Sequence, residues 1–110
     1  MAGYYHQEDL PHFADVGKNA PELWQKFADW YAAVFGEGAL TEREKCLIAL
    51  AVAHAVQCPY CIDAYTQSCL EKGSNLDQMT EAVHVAAAVR GGASLVHAVQ
   101  MRNTAGKVSM

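Results

Sequence analysis

Helix punctuation is the feature that most constrains this chain. Thr41-Glu42-Arg43-Glu44 is a capping box: the threonine hydroxyl can accept from the Glu44 amide while the Glu44 carboxylate reaches back to the Thr41 amide. Asn75-Leu76-Asp77-Gln78 repeats the device. These two starts predict a helix to about Gln57 and a long one running to between Gln100 and Asn103. Pro59 to Lys72 reads as a helix between them, stopped by Gly73. Upstream, Asn19-Ala20-Pro21 reads as a helix start with a capping side chain and an early proline. Leu23, Phe27, Trp30, Tyr31, Val34 and Phe35 then fall on one helical stripe, which Gly36-Glu37-Gly38 ends. No segment alternates at the strand period, and neither an internal repeat nor a linker interrupts the chain. The expected fold is all-α. Residues 19–110 form one helical domain, and 1–18 an arm that packs on it with at most a short helix.

Within the long helix, Val83 to Val89 is apolar nearly all round, which predicts burial on two sides. Gly91-Gly92 is expected to interrupt it, as a kink or a close helix crossing. Hydrophobic residues make up 52% of the 110 and charged residues 18%, against a usual charged share of about 25%. So small a chain with so much apolar surface is expected to hide part of it against copies of itself, as an obligate homo-oligomer. The net charge of −4, with no Lys/Arg cluster, argues against nucleic acid and against an anionic membrane surface as partners. Glu8 and Asp9 sit in an N-terminus without an apolar core, unlike a signal peptide. The longest apolar stretch, Leu47 to Val56, is interrupted by His54 and falls short of the ~20 residues a membrane span needs. A cytoplasmic location is expected. Stable disulfides are disfavoured there, which turns four cysteines toward redox or metal chemistry.

The chemistry concentrates at Cys58-Pro59-Tyr60-Cys61. Cysteines at i and i+3 of one turn have β-carbons roughly 5–6 Å apart, and a disulfide needs about 3.5–4.5 Å. Proline suits the first helical position, where no backbone donor is required. Cys58 then falls at the N-cap, where the helix dipole favours thiolate over thiol. The pair can therefore switch between dithiol and disulfide with little backbone motion. A pair of inert buried thiols is the plainer alternative. A zinc site normally needs a second ligand pair, whereas Cys46 and Cys69 stand alone and His84 and His97 are thirteen apart. Ile62 stands where c-type haem attachment requires histidine. No cofactor and no resident metal are expected.

Three stretches carry a family resemblance: Glu44-Lys45-Cys46-Leu47-Ile48-Ala49-Leu50-Ala51-Val52-Ala53, then Cys58-Pro59-Tyr60-Cys61-Ile62, then Gly73 with the Asn75 cap leading to Glu81-Ala82. Together they resemble the carboxymuconolactone decarboxylase and alkylhydroperoxidase D superfamily, over residues 21 to 102. The cysteine pair points to its peroxidase-like branch. That resemblance implies an all-helical subunit, a trimer or hexamer, and thiol-dependent peroxide reduction. It further implies that Cys61 is the peroxidatic cysteine and Cys58 the resolving one, whereas the dipole argument favours Cys58 as the more acidic thiol. The wording from Cys58 to Thr66 also resembles a peroxidase-like subgroup associated with arsenosugar or selenium-linked radical enzymes.

Two departures from the family pattern alter the expected relay. The family's glutamate, twelve residues before the first cysteine, is replaced by Cys46, and its histidine, four after the second, by Tyr65. A phenol with a pKa near 10 cannot take a thiol proton at neutral pH as imidazole does, although Tyr65 could donate a hydrogen bond to a Cys61 thiolate. His54 is the substitute base if the turn at Gln57 brings it near; its other reading is a hydrogen-bonded core histidine. Cys46 is expected to face the pair as a third thiol, for relay or for a thiophilic species. Cys69, His84 and His97 are expected in the core, and His6 and His12 on the arm surface. Arg90 could neutralise a carboxylate or a helix end.

The sequence therefore favours a thiol-dependent oxidoreductase acting on small-molecule peroxides or disulfide partners, with a thiol reductant that the residues do not identify. A non-enzymatic thiol module binding a metalloid or soft metal through Cys46, Cys58 and Cys61 is the alternative. Decarboxylation of a lactone acid comes third.

Overall fold

The computed structural model describes residues 3–108. A segment of 3-10 turns, Gln7–Asn19, leads into five α-helices: α1 (Pro21–Phe35), α2 (Glu42–Ala55), α3 (Pro59–Glu71), α4 (Leu76–Leu95) and α5 (Ala98–Val108). No strand occurs among the described residues, and the fold is all-α as its punctuation predicts.

Both capping boxes form in full. Thr41 Oγ1 accepts from the Glu44 amide and the Glu44 carboxylate accepts from the Thr41 amide; Asn75 and Gln78 do the same. The first helix starts differently. Asn19 belongs to the 3-10 segment, and Ala20 takes the cap position without a side-chain bond, leaving Pro21 and the first-turn Glu22 as start signals. The arm is also more helical than expected. Its thirteen residues dock through Phe13, whose ring meets Trp24 at 5.1 Å and Phe27 at 6.2 Å.

Helices α2 and α3 end alike. Beyond α2, the Cys58 amide donates to the Ala53 carbonyl and the Gln57 amide to His54, with Gln57 at φ 58°. Beyond α3, Ser74 donates to Cys69 and Gly73 to Leu70, with Gly73 at φ 91°. Each is the paired-bond stop that a left-handed residue permits. The first reverses the chain, so that α2 and α3 run antiparallel about Gln57, and α2 packs against α3 and α4. Between them lies a small core of Cys46, Leu50, Cys69 and Met79, flanked by Leu47 and Tyr65.

The long C-terminal helix departs from expectation in two ways. Gly91 and Gly92 stay helical, and a Cβ on either would meet nothing of the same protomer within 4 Å, so no kink forms there and no helix of this chain crosses closely. The interruption falls later, at Val96–His97, where Val99 and Gln100 donate to carbonyls three residues back and the turn tightens. Burial on two sides is also absent within the protomer: Ala86 is buried, but Val85 and Val89 are 60% and 66% exposed. His84 and His97, expected in the core, are exposed for the same reason, since one side of the rod has no neighbour in the chain. By length and composition alone, Leu76–Val108 could cross a membrane, with a mean hydropathy of 1.3 over its most apolar window.

Candidate functional site: a thiol pair between two cavities

The turn at Gln57 delivers Cys58 to the N-cap of α3, with Pro59 at its first position. Cys58 is extended there (φ −102°, ψ 103°), and its Sγ accepts from the Cys61 amide at 3.3 Å. The two sulfurs stand 2.6 Å apart and unbridged. Both residues are half-buried. Burial, followed by the adjoining Cys58 sulfur, pushes the Cys61 thiol up to about 11, so Cys61 holds its proton at neutral pH.

Two cavities meet at this pair. The larger, about 590 Å³, lies between α1 and α2, with walls that include Val34, Phe35, Ile48 and Val52 and with Cys61 and Tyr65 at one end. Lys45, the charged residue in its lining, is committed: its ammonium donates to the Val34 and Gly36 carbonyls at 2.7 and 2.6 Å, which closes the negative end of α1. The smaller, about 460 Å³, has the N-terminal segment as one wall, through Asp9, Leu10, His12, Phe13 and Val16. Cys58 borders this one alone, whereas Cys61, Tyr65 and Tyr31 border both. Sequence reasoning missed that wall because Pro11 and the arm's acids mask the three-residue spacing of Leu10, Phe13 and Val16. Gln7, which donates to Asp63 on α3 at 3.3 Å, and the edge contact of Tyr5 with Tyr60 at 5.2 Å hold the segment in place.

The three expected support residues fare differently. His54 Nδ1 donates to the Leu50 carbonyl at 2.8 Å, and no hydrogen bond joins the ring to either thiol among the described residues. Tyr65 reaches the site as a cavity wall, its ring stacked on Phe35 at 5.4 Å and 17°. Burial raises its phenol, and it makes no hydrogen bond to Cys61 among the described residues. Cys46 does not join the pair. An antiparallel hairpin centred on Gln57 sets the start of α2 against the end of α3, so Cys46 shares the core with Cys69. Burial raises both thiols, and the Cys46 charge raises Cys69 further. The expected three-thiol cluster is therefore not assembled. Among the described residues, no three His, Cys, Asp or Glu side chains are grouped to hold a metal ion.

Comparison with known proteins places the fold in a family. Residues 21–101 match the model of the carboxymuconolactone decarboxylase family. A curated relative in Paracoccus denitrificans, described as uncharacterized protein 4 in the cox locus, is 48% identical over 65 residues, 59% of each chain. The match thus spans about three-fifths of that relative's length. A crystal structure of a Methanobacterium thermoautotrophicum protein superposes with a TM-score of 0.73 at 37% identity, over 76% of this chain and 94% of that one. The apo form of a carboxymuconolactone decarboxylase family protein from Legionella pneumophila gives 0.70 at 33% identity, over 84% of each. With its model matched across all five helices but the last turns of α5, this chain belongs to the carboxymuconolactone decarboxylase family.

Proposed function

We propose that the chain is a thiol-dependent oxidoreductase of the family's peroxidase-like branch, reducing peroxides or disulfides with Cys58 and Cys61 as its redox couple. The observation that carries the reading is the 2.6 Å separation of the two sulfurs at the meeting of two cavities. Thiols so placed can become a disulfide by side-chain rotation alone. A reducing compartment, as in the cytoplasm, suits a pair that must be returned to dithiol by an external thiol.

The test is direct. One equivalent of organic hydroperoxide is expected to remove two hydrogens from the reduced protein, with peptide mapping linking Cys58 to Cys61. Peroxide consumption driven by dithiothreitol should disappear in Cys58→Ser and in Cys61→Ser. Oxidised protein with no link between these residues would sink the reading, as would a pair with a potential below about −300 mV, too stable to cycle.

Lactone-acid decarboxylation ranks second. A substrate carboxylate there needs a cation, and Lys45 in the larger cavity is already held by two backbone carbonyls. Metalloid capture by three thiols ranks third, since Cys46 lies with Cys69.

A further inference from the structure

We propose that His12 of the N-terminal segment is a catalytic residue of the thiol site, taking the proton of Cys61 as that sulfur attacks a peroxide and returning it to the departing alkoxide. This inference rests on the redox reading above and keeps the roles that family resemblance implies for the two cysteines.

The need comes from the pair itself. Cys61 is half-buried and holds its proton at neutral pH, so a base has to make the attacking thiolate. The expected support residues are not placed to be that base. His54 borders neither cavity, and its Nδ1 is bonded to the Leu50 carbonyl. Tyr65 borders both, but burial raises its phenol, and even an ordinary phenol keeps its proton at neutral pH. Lys45, in the larger cavity, is committed to two carbonyls.

The smaller cavity supplies what the helices lack. His12 borders it on the wall formed by the segment, with Cys58 and Cys61 on the wall formed by α3. Imidazole is the side chain suited to exchanging a proton near neutrality, whereas a carboxylate such as that of Asp9 is a far weaker base. His12 Nδ1 stands 3.4 Å from one oxygen of Asp15, and Lys18 Nζ 3.4 Å from the other. A carboxylate only accepts, so a neutral ring held this way offers Nε2 as the base. The segment is anchored on both sides of His12: Gln7 donates to Asp63 of α3, the Phe13 ring meets Trp24 edge-on, and Gly17 is buried against the same indole. His12 lies before residues 21–101, the part that matches the family model, so the role belongs to this chain's own segment.

The steps balance. A hydroperoxide in the smaller cavity lies between the segment and the sulfurs. The Cys61 proton passes to His12 and the thiolate attacks the outer peroxide oxygen: an S–O bond forms and the O–O bond breaks. The alkoxide takes the proton back from the imidazolium and leaves as an alcohol. Cys61 sulfur is oxidised by two electrons to the sulfenic acid while the peroxide is reduced. Cys58 sulfur then attacks Cys61; the S–S bond forms, the S–O bond breaks, and hydroxide leaves as water with the Cys58 proton. His12 ends as it began.

The titratable and charged groups around His12 are Asp9, Asp15 and Lys18 of the segment, Tyr31 of α1, and Cys58, Tyr60, Cys61 and Tyr65 of α3. Carboxylates, phenols and ammonium groups ordinarily titrate well away from neutrality, so a near-neutral inflection lost with His12 reports the imidazole. The test follows disulfide formation in reduced protein given excess cumene hydroperoxide. His12 is exposed, so its replacement disturbs no packing. His12→Gln should slow the closure of Cys58 with Cys61 about 100-fold at neutral pH, and added imidazole should restore at least about tenfold in His12→Ala. The wild-type rate should level off above neutrality, while that of His12→Gln keeps climbing toward the ionisation of Cys61 at about 11. A loss below about threefold, no rescue by imidazole, or one pH profile for both proteins overturns the proposal and leaves the redox reading standing. Wild type that never joins the two sulfurs overturns both.

Discussion

Arg90 of α4 reaches the C-terminus of α2: its Nη1 donates to the Ala55 carbonyl at 2.8 Å, three residues before Cys58. A cation on the exposed carbonyls at a helix end satisfies an orphan acceptor and opposes the negative pole. Arg90→Ala is expected to cost about 1 kcal/mol, lowering Tm by roughly 4–8 °C in a domain of this size. Arg90→Lys should restore part of that loss. An unchanged Tm in Arg90→Ala would remove the bond from any part in stability.

The two left-handed stops predict opposite effects for exchanging glycine. Gln57 holds φ 58° with a side chain, whereas Gly73 holds φ 91° without one. A Cβ on Gly73 would touch nothing within 4 Å, so the cost of Gly73→Ala is backbone strain alone, about 1 kcal/mol. Gln57→Gly removes such strain and should stabilise by a similar or smaller amount, about 0.5–1 kcal/mol. Urea midpoints of the two variants should therefore move in opposite directions.

The helix starts were legible in the sequence because caps act locally: Thr41, Asn75 and the Cys58-Pro59 pair each bind amides within three residues. Spatial pairing was less legible. Cys46 is expected from the sequence to face the thiol pair, yet its partner Cys69 follows from the antiparallel register about Gln57 and not from any motif. The break at Val96–His97 carries no glycine or proline, while the glycines that suggested one at Gly91-Gly92 remain helical in open space. The wall formed by Asp9 to Val16 was hard to read because Leu10, Phe13 and Val16 recur every third residue, in a segment broken by Pro11 and rich in acids.

Docking of that wall can be tested at Gly17, which is buried against Trp24. A Cβ there would run into the indole, so Gly17→Ala must displace the ring or lift the segment. A loss of about 1–3 kcal/mol is expected, the usual cost of overpacking. Proteolysis should also cut faster between Gln7 and Asn19. Wild-type stability and protection in Gly17→Ala would mean the segment does not pack as described.

Alkaline pH should destabilise the protein through Cys61. Burial raises its thiol from an ordinary 9.0 to about 11, so between those values the unfolded chain has released a proton that the folded chain keeps. Stability then falls as pH rises across that interval and is level below it. Burial raises Cys46, Cys69 and Tyr65 in the same direction, and the Glu42 carboxylate raises Lys72, so the other groups leave a residual slope. Urea midpoints from pH 7 to 10.5 should decline less steeply in Cys61→Ser than in wild type. Identical slopes would place the Cys61 thiol in water.

The shape of the protomer predicts self-association. Its radius of gyration is 19.1 Å, where a compact chain of this size has about 13 Å. Its accessible surface is 8468 Å², where a compact monomer of this mass has roughly 5,900 Å². The excess accompanies the α4–α5 rod, on which Val89, Leu95, Val96, Val99 and Met101 are each more than half exposed. A second copy is the occupant that fits, since identical rods offer each other the same apolar face and Arg90 is already engaged at Ala55. Sedimentation without detergent should give a mass well above the 11.9 kDa protomer, and Val89→Glu should shift it toward that value by burying a charge in the interface. Wild type sedimenting as a protomer would contradict this. Wild type that stays dispersed only in detergent would assign the rod to a bilayer instead.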